Sequence, residues 1–322
     1  MSTVIIQHGQ GGPEVLRVES RDLAAPGAGQ VIVEQRAVGF NYLDVMLRSG
    51  IWPISEPTIV PGFEAAGVVT DIGPDVHEVA IGDRVGYFRT QGSYAAERTI
   101  DQHDLIRIPE TVAFDQAAAL LTKGLMARIT VRQAHEVTEG QTVLVTTAAG
   151  GIGSLVTRWA TSLGARVIGV VGSPAKREAA LSNGASDVAV GVEEAVRLAK
   201  RVTHGLGVDA VLDGLGADTP TALAGSVRPG GSIVSFGSAA GWPSPDADVL
   251  NARQIRFTLP QFGQYLRTPT QAQDAADDVF RALLTGSFGD TLPATTRPLV
   301  DVARLHADVE ARRATGLNVL IP

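Results

Sequence analysis

The sequence has 322 residues, with 44% hydrophobic and 19% charged side chains and a formal net charge of −7. This composition is typical of a globular chain with large cores, and the length favours two domains. The acidic balance, without any basic run, argues against binding to nucleic acid or to an anionic membrane surface. The chain has no cysteine, which excludes disulfides, thiolate nucleophiles and every cysteine-based metal site.

The six histidines are scattered, with no pair at the spacing of metal ligands, so the sequence predicts no metal site. The first residues, MSTVIIQH, lack the basic region and the long apolar core of a signal peptide. No window approaches the ~20 apolar residues of a membrane-spanning helix. We therefore expect a soluble, cytoplasmic protein.

The first third of the chain is rich in strand patterns. Predicted strands cover 31–38, 67–72 and 84–88, and turn signals such as Pro61-Gly62 and Gly82-Asp83 separate them. A helix is predicted over 115–121.

From about residue 125, strand and helix patterns alternate. Predicted strands cover 142–147, 166–171, 186–190, 208–213 and 231–236, and predicted helices cover 152–163, 174–182, 192–203 and 217–227. This alternation predicts an α/β fold with a doubly wound parallel sheet. The last part carries a helix near 270–285, a β segment near 292–300, a further helix and a strand over 317–321.

The simplest architecture is a dinucleotide-binding domain inserted between two parts of a β-rich domain. We predict that residues 125–262 form the inserted domain, and that 1–124 and 263–322 form the β-rich one.

A glycine-rich turn stands where such a domain would bind phosphate. Residues 146–154, TTAAGGIGS, follow the apolar run Thr142-Val143-Leu144-Val145 and open an amphipathic segment. Glycine permits a sharp turn and a close approach to phosphate, and the N–H groups at a helix N-terminus attract negative charge. The strand, turn and helix together therefore indicate a dinucleotide site.

The end of the second strand of this domain distinguishes NADPH from NADH. An acidic residue there would bind the ribose hydroxyls and repel a phosphate, but the chain continues with Gly172-Ser173-Pro174-Ala175-Lys176. Ser173 offers a hydroxyl and Lys176 a positive charge, which favours NADPH. The alternative is that Ser173 only caps the helix and Lys176 only faces water.

These features and several further blocks resemble the medium-chain dehydrogenase/reductase superfamily, and within it the zinc-free quinone oxidoreductases related to zeta-crystallin. The blocks span nearly the whole chain: Asn41-Tyr42-Leu43-Asp44, PGFEAAGVV at 61–69, Gly82-Asp83-Arg84-Val85, Thr122-Lys123-Gly124-Leu125, Gly172-Ser173-Pro174, Ser235-Phe236-Gly237 and ARRATG at 311–316. The resemblance implies a Rossmann domain inserted in a GroES-like catalytic domain, with NADPH as the cofactor.

The resemblance also explains an absence. Zinc-dependent relatives place a Cys near position 41 and a Gly-His-Glu near position 62, whereas this chain has Asn41 and Phe63, with Glu64 retained. A zinc alcohol dehydrogenase is therefore excluded on ligand chemistry. We expect a structural role for Glu64 at the start of a strand.

The resemblance assigns site residues by position. It implies that Gly150, Gly151 and Ile152 bind the pyrophosphate and that Ser173 and Lys176 bind the 2′-phosphate. Phe236, Gly237 and Ser238 would line the nicotinamide side, and Asn41 would lie at the nicotinamide ribose. Arg312 would close over the phosphates, and Lys123 would reach the cleft. For Arg312 the alternative is a solvated helix end, and for Lys123 it is a side chain that faces water.

Three positions depart from the family pattern. Met46 and Trp52 stand where tyrosines are common, so they remodel the predicted substrate pocket and remove hydroxyl donors. A tyrosine that helps to hold the adenosine phosphate is missing near Gly191, which weakens the NADPH preference without reversing it.

Hydride transfer to a quinone or an enone places negative charge on the acceptor's oxygen, and a fixed donor near it lowers the barrier. Asn41 is the leading candidate donor, and Tyr42 is a second, although a core or interface tyrosine is the alternative. We expect Asp44 to anchor its loop rather than to transfer a proton.

Three functions stay open at this point. The first is an NADPH-dependent quinone oxidoreductase, the second is an NADPH-dependent reductase of enones or alkenals, and the third is a non-enzymatic NADPH-binding regulatory or structural protein. The resemblance also implies a homodimer, for which 254–259 could supply an edge strand.

Overall fold

The computed structural model of the chain describes residues 2–54, 56–289 and 292–322. The chain forms two compact units. The first comprises residues up to Thr122 together with Thr268–Arg281 and Leu292–Pro322, and the second comprises Lys123–Arg267 and the short segment that begins at Ala282. The domain boundaries inferred from the sequence, after residues 124 and 262, stay predictions.

The strands of the two units are, in chain order, β1 (Ser2–His8), β2 (Leu16–Arg21), β3 (Gln30–Gly39), β4 (Thr58–Ile59), β5 (Glu64–Ile72), β6 (Arg84–Phe88), β7 (Glu97–Asp101), β8 (Ile106–Arg107), β9 (Thr142–Thr146), β10 (Arg166–Val171), β11 (Asp187–Val190), β12 (Val208–Asp213), β13 (Val227–Ser235), β14 (Arg256–Thr258), β15 (Ala294–Pro298) and β16 (Leu317–Ile321).

The helices are α1 (Tyr42–Ser49), α2 (Phe114–Ile129), α3 (Gly151–Ser162), α4 (Arg177–Ser182), α5 (Val192–Val202), α6 (Thr219–Leu223), α7 (Ala247–Ala252), α8 (Phe262–Tyr265), α9 (Pro269–Leu284) and α10 (Val302–Glu310). Within the described ranges, none of these helices is both long enough and apolar enough to cross a membrane.

The second unit confirms the predicted α/β fold. Its six strands are parallel and follow the order β11-β10-β9-β12-β13-β14, so the strand order reverses between β9 and β12. The central strands are buried, as the apolar runs in the sequence require when helices cover both faces of a sheet. In a sheet of this topology, ligands bind beyond the carboxyl ends of the strands at the point of reversal.

Several helices and strands of this unit begin or end at residues other than the predicted ones. A 3₁₀ turn, Pro174–Lys176, precedes α4, and α6 ends at Leu223, before a second 3₁₀ turn over Ala224–Ser226. Strand β13 begins at Val227, earlier than predicted, because its first residues pair with β12 across an irregular register. The predicted strand over 254–259 is limited to Arg256–Thr258, at the edge of the sheet.

The first unit holds two mainly antiparallel sheets. Strands β2-β1-β4 form the smaller one, and β15-β16-β3-β5-β6-β8 form the larger, in which β7 also pairs with β3. Helix α1, which the sequence analysis did not predict, follows β3 directly. Two charged residues, Asp44 and Arg48, are buried on this helix together with the apolar Val45, Met46 and Leu47.

A chain of buried polar groups holds α1 in the first unit. The Arg48 Nε–H donates to His306 Nδ1 (3.3 Å), and a second guanidinium nitrogen contacts Glu310. Since Nδ1 accepts, the neutral imidazole carries its proton on Nε2, which lies 3.2 Å from the Tyr94 hydroxyl. That hydroxyl donates to Asp44 Oδ2 at 2.8 Å. These contacts fix α1 against α10. The side chains of Arg48, His306, Tyr94 and Asp44 are buried, whereas Glu310, at the end of the series, is exposed.

Burial and the adjacent Arg48 charge lower the pKa of His306 to about 3, so the native state holds this imidazole neutral. In the unfolded chain an ordinary histidine takes up a proton below about pH 6.5. Between these two values the unfolded state binds the additional proton, so stability falls as the pH falls from about 6.5 toward 3.

We therefore predict that His306→Gln reduces the pH dependence of the unfolding free energy between pH 6.5 and 4.5 by up to one proton, about 1.4 kcal/mol per pH unit. Urea unfolding at a series of pH values measures this slope. Tyr94→Phe is the matched control, because it removes a hydrogen bond of the same cluster but leaves the imidazole buried, so it should lower stability with the slope intact. A slope unchanged by His306→Gln would contradict the prediction.

Candidate active site

The glycine-rich turn of the second unit joins β9 to α3. Gly150 precedes the helix and has no side chain with which to cap it, so the N–H groups of the first turn, from Gly151 onward, have no acceptor within the helix. A Cβ on Gly153 would lie 2.2 Å from the Thr147 carbonyl oxygen, and Thr147 itself has a left-handed φ of 53°. Only glycine fits this close approach, and the turn presents N–H donors as a phosphate requires.

Two further loops emerge at the same edge of the sheet. Phe236 follows β13, is buried, and donates its N–H to the Asp213 carbonyl oxygen at 2.7 Å. A Cβ on Gly237 would lie 2.6 Å from the Gly214 carbonyl oxygen, so the loops after β12 and β13 are in contact. The structure thus brings the predicted phosphate residues and Phe236-Gly237-Ser238 to neighbouring strand ends.

Ser173 and Lys176 follow β10, the strand beside β9. Ser173 occupies the cap position of the 3₁₀ turn, but its side chain makes no capping hydrogen bond. Lys176 is half-buried and makes no ion pair with the residues that the structure describes. The neighbouring Arg177, in contrast, is committed to Glu194 at 2.8 Å. A hydroxyl and an ammonium group are therefore available at the position where a 2′-phosphate would bind.

The second unit fits a dinucleotide on these observations. Its helix N-terminus is uncapped, its glycines stand where a Cβ would collide with backbone, and the acidic residue that would repel a 2′-phosphate is absent after β10. A Cβ on Gly172, which directly follows β10, would meet none of the described atoms within 4 Å, its chain neighbours apart.

The first unit holds the predicted catalytic residue in a cluster around Asn41. Asn41 is 7% exposed, and its Nδ2 donates to Glu64 Oε2 at 2.7 Å. The other carboxylate oxygen of Glu64 accepts the N–H of Thr122 at 2.5 Å. The Asn41 N–H donates to Asp44 Oδ2 at 2.8 Å. Asn41 therefore sits at the start of α1 with its amide held by one carboxylate and its backbone by another.

This cluster does not fit a zinc ion. Both oxygens of Glu64 are engaged in hydrogen bonds, and Phe63 supplies a phenyl ring where zinc-dependent relatives have an imidazole. In the parts of the chain that the structure describes, no group of three or more His, Asp or Glu side chains could hold a metal ion.

A pocket with a mainly apolar lining lies within the first unit. It is lined by Leu43, Leu47, Trp52, Pro53, Ile54, Glu56, Ile59, Phe63 and Gln91. Leu43 and Leu47 lie one turn apart on α1, the helix that follows Asn41, and Phe63 directly precedes Glu64 in the sequence. Trp52, a predicted pocket residue, is in this lining, whereas Met46 is not and is buried on α1.

The remaining predicted residues lie in different settings. Tyr42 is in the first turn of α1 and is 39% exposed. Lys123 is buried in α2. Arg312 follows α10, is exposed and has a left-handed φ of 58°, whereas the adjacent Arg313 is paired with Asp308 at 2.8 Å. Their roles stay predictions.

Sequence reasoning missed two residues in these sites, the buried Asp213 and the half-buried Phe63. Asp213 ends β12 and is fully buried, and Phe63 lines the apolar pocket. A signal existed for Asp213, because an acidic residue ends an otherwise apolar strand and precedes Gly214-Leu215-Gly216. Phe63 gave no such signal, since it was considered only as the replacement of a zinc ligand.

Two family descriptions match the chain. Residues 27–142 match the "Alcohol dehydrogenase GroES-like domain", and residues 151–277 match the "Zinc-binding dehydrogenase" family. Both agree with the fold, although the residues at the first unit's cluster do not fit zinc.

Named relatives match over nearly the full length. A quinone oxidoreductase of Pseudomonas aeruginosa is 35% identical over 97% of each chain. A 2-haloacrylate reductase of a Burkholderia species is 34% identical over 100% of this chain and 99% of the relative.

A solved structure supports the same relationship. The Escherichia coli quinone oxidoreductase complexed with NADPH superimposes with a TM-score of 0.93 at 32% identity, over 99% of this chain and 100% of that one. The chain therefore belongs to the quinone oxidoreductase family of the medium-chain dehydrogenase/reductase superfamily.

Proposed function

We propose that the chain is an NADPH-dependent quinone oxidoreductase that transfers hydride without a metal ion. The observation that carries this proposal is the uncapped helix N-terminus after β9, together with Ser173 and Lys176 after the neighbouring β10. Within residues 2–54, 56–289 and 292–322, Ser173 makes no capping hydrogen bond and Lys176 makes no ion pair. Similarity to quinone oxidoreductases over the full length supports the same function.

In this proposal the second unit binds the dinucleotide. The Gly150-Gly151-Ile152 turn binds the pyrophosphate through the N–H groups of Gly151 and Ile152, since the Gly150 N–H already donates to the Thr147 carbonyl oxygen at 2.7 Å. Ser173 with Lys176 binds the 2′-phosphate. Phe236, Gly237 and Ser238 line the nicotinamide side, and Lys123 and Arg312 are two further proposed cofactor-binding residues.

Bound NADPH supplies the hydride. The protein's part is to position the acceptor and to stabilise the negative charge that forms on its oxygen. The Asn41 amide has two N–H bonds, and Glu64 takes one of them. The second is the donor that we assign to the acceptor oxygen. Asp44 holds the Asn41 backbone and is itself buried, so it acts as an anchor; Tyr42 is a second candidate donor.

The apolar pocket of the first unit is the proposed acceptor site. Its lining is aromatic and aliphatic, with the Glu56 carboxylate and the Gln91 amide as polar groups and no basic side chain. Such a surface favours uncharged, hydrophobic acceptors. It suits a quinone, and it equally suits an alkyl enone, which keeps enone reduction as the second candidate function.

We also propose an oligomeric state and a cellular location for the protein. Strand β14 lies at the edge of the parallel sheet, and an edge strand needs covering. We propose that two copies join there as a homodimer, which sedimentation equilibrium would distinguish from a monomer. The cysteine-free sequence is consistent with a cytoplasmic location, which cell fractionation would test.

The first test of the proposed function concerns which electron acceptors the protein reduces. The protein should oxidise NADPH with naphthoquinone at least about tenfold more efficiently than with sulfonated naphthoquinone, because the sulfonate meets Glu56 and no cation. Glu56→Gln should narrow this difference, whereas Glu110→Gln, outside the pocket, should not. Steady-state rates with both quinones and an alkyl enone measure it. Faster enone turnover would favour the second function, and NADPH binding without turnover of any acceptor would favour a non-enzymatic role.

The second test concerns the preference of the protein for NADPH over NADH. Ser173→Ala combined with Lys176→Glu should weaken NADPH binding by more than about tenfold and leave NADH binding nearly unchanged, because only NADPH carries the 2′-phosphate. Titration of cofactor fluorescence measures both affinities. Lys200→Glu changes the net charge on the exposed face of α5 and controls for long-range charge effects. Equal losses for both cofactors would contradict the assignment.

The role of Asn41 is the third prediction. Asn41→Ala should lower turnover by about a hundredfold, with a smaller effect on NADPH affinity, because the donor to the developing charge is lost. Ser93→Ala, which removes the hydroxyl contact to the Glu64 N–H at 3.2 Å, disturbs the same cluster but keeps the amide, and it should retain turnover. Unchanged turnover in Asn41→Ala would remove this residue from the mechanism.

A further inference from the structure

A fully buried carboxylate lies at the point where the strand order of the second unit reverses. Asp213 ends β12, is 0% exposed, and accepts four hydrogen bonds. Its Oδ1 accepts from the Thr146 hydroxyl at 2.8 Å and from the Leu215 N–H at 3.0 Å. Its Oδ2 accepts from the Ser235 hydroxyl at 2.8 Å and from the Gly216 N–H at 2.9 Å.

The two hydroxyl donors lie on the strands beside β12, and the two N–H donors lie in the loop that follows it. Thr146 ends β9 and Ser235 ends β13, the two strands that flank β12. Thr146 in turn accepts the Gly214 N–H at 2.7 Å. One side chain therefore joins the ends of β9, β12 and β13, and it also fixes the loop that follows β12.

The three joined ends carry the proposed cofactor-binding loops. The phosphate turn begins at Thr147, directly after Thr146, and the nicotinamide-side residues begin at Phe236, directly after Ser235. The loops also touch one another, since a Cβ on Gly214 would lie 2.4 Å from Thr147 Oγ1 and 2.7 Å from a Phe236 ring carbon. A shift at any one strand end would therefore move both loops.

Only a carboxylate satisfies this set of donors. Two backbone N–H groups and two hydroxyls converge on it, and a carboxylate has two oxygens that accept without donating. An amide at this position would oppose an N–H with its own NH₂ group. A buried donor left without an acceptor is costly, so the loop after β12 would have to shift.

We propose that Asp213 is the positioning residue of the cofactor site, which holds the phosphate turn and the nicotinamide-side loop in one binding geometry before the dinucleotide arrives. This inference rests on the proposed function for the identity of the ligand. Asp213 acts through Thr146, Ser235 and the loop after β12. Ser173 and Lys176 follow β10, and none of the described hydrogen bonds of the Asp213 side chain reaches that strand. The discrimination between NADPH and NADH by Ser173 and Lys176 is therefore independent of Asp213.

The same strand supplies a matched control. Asp209, near the amino end of β12, also joins β12 to β9, through the Thr142 N–H at 2.8 Å, and pairs with Arg228 at 2.8 Å. It therefore makes a comparable cross-strand contact at the opposite end of the sheet, away from the loops. A variant at this position reports what a purely structural loss on β12 does to the protein.

The experiment compares Asp213→Asn with Asp209→Asn in the full chain, with no acceptor present. Titration of NADPH and NADH fluorescence gives both affinities, and thermal unfolding shows that each variant is folded. We expect Asp213→Asn to weaken both cofactors by the same factor, about tenfold to a hundredfold, with the NADPH to NADH ratio unchanged. Asp209→Asn should lower the unfolding temperature with affinities within about twofold of the parent protein.

Thr146→Val and Ser235→Ala, singly and together, keep the test decisive if Asp213→Asn does not fold. Each removes one hydroxyl donor and leaves the carboxylate, so each should weaken both cofactors in part and the double variant should weaken them further. Affinities unchanged in folded Asp213→Asn or in the double variant would overturn the proposal, as would an equal loss in Asp209→Asn. A parent protein that binds no NADPH would instead overturn the proposed function.

Discussion

Hydrogen bonds to one buried carboxylate, that of Asp213, connect the strand ends on which the nucleotide-binding part of this protein depends. The reversal of strand order between β9 and β12 opens a crevice beyond the carboxyl ends of the strands, but the reversal alone does not fix the loops that border it. Four donors meet at this side chain: two hydroxyls, at the ends of β9 and β13, and two N–H groups of the loop that follows β12. The glycines on either side let the loops approach until they touch, so the loops share one geometry.

In the first unit, hydrogen bonds to buried carboxylates fix a different group, the side chain and backbone of Asn41. Asp44 and Glu64 are both fully buried, and both hold Asn41, one through its backbone N–H and the other through its amide. Asp44 is fixed in turn by Tyr94, which leads through His306 to Arg48. Buried charges are expensive unless they are hydrogen-bonded, so such groups are placed where orientation matters. In this unit the two carboxylates fix the backbone and the amide of Asn41.

The sequence predicted the second unit well because its local signals agree with its tertiary structure. Parallel strands buried on both faces appear as continuous apolar runs, and β9 to β12 were found close to their observed bounds. Helix α1 was missed although it buries Val45, Met46 and Leu47; the buried contacts of its charged residues, Asp44 and Arg48, are with residues distant in the sequence. The edge segment near β14 was predicted too long, since flanking residues without a pairing partner do not extend the ladder.

By itself, the sequence determined the family, the doubly wound fold, the phosphate turn and the absence of cysteine ligands, because each depends on residue type and local spacing. The tertiary structure decided which polar groups meet. Asp213 contacts Thr146, 67 residues away, and Arg48 contacts His306, 258 residues away. It also decided that Trp52 and Phe63 share one pocket while Met46 is buried elsewhere on α1. Hydrogen bonds and packing between distant segments depend on three-dimensional proximity, which no local pattern of residues records.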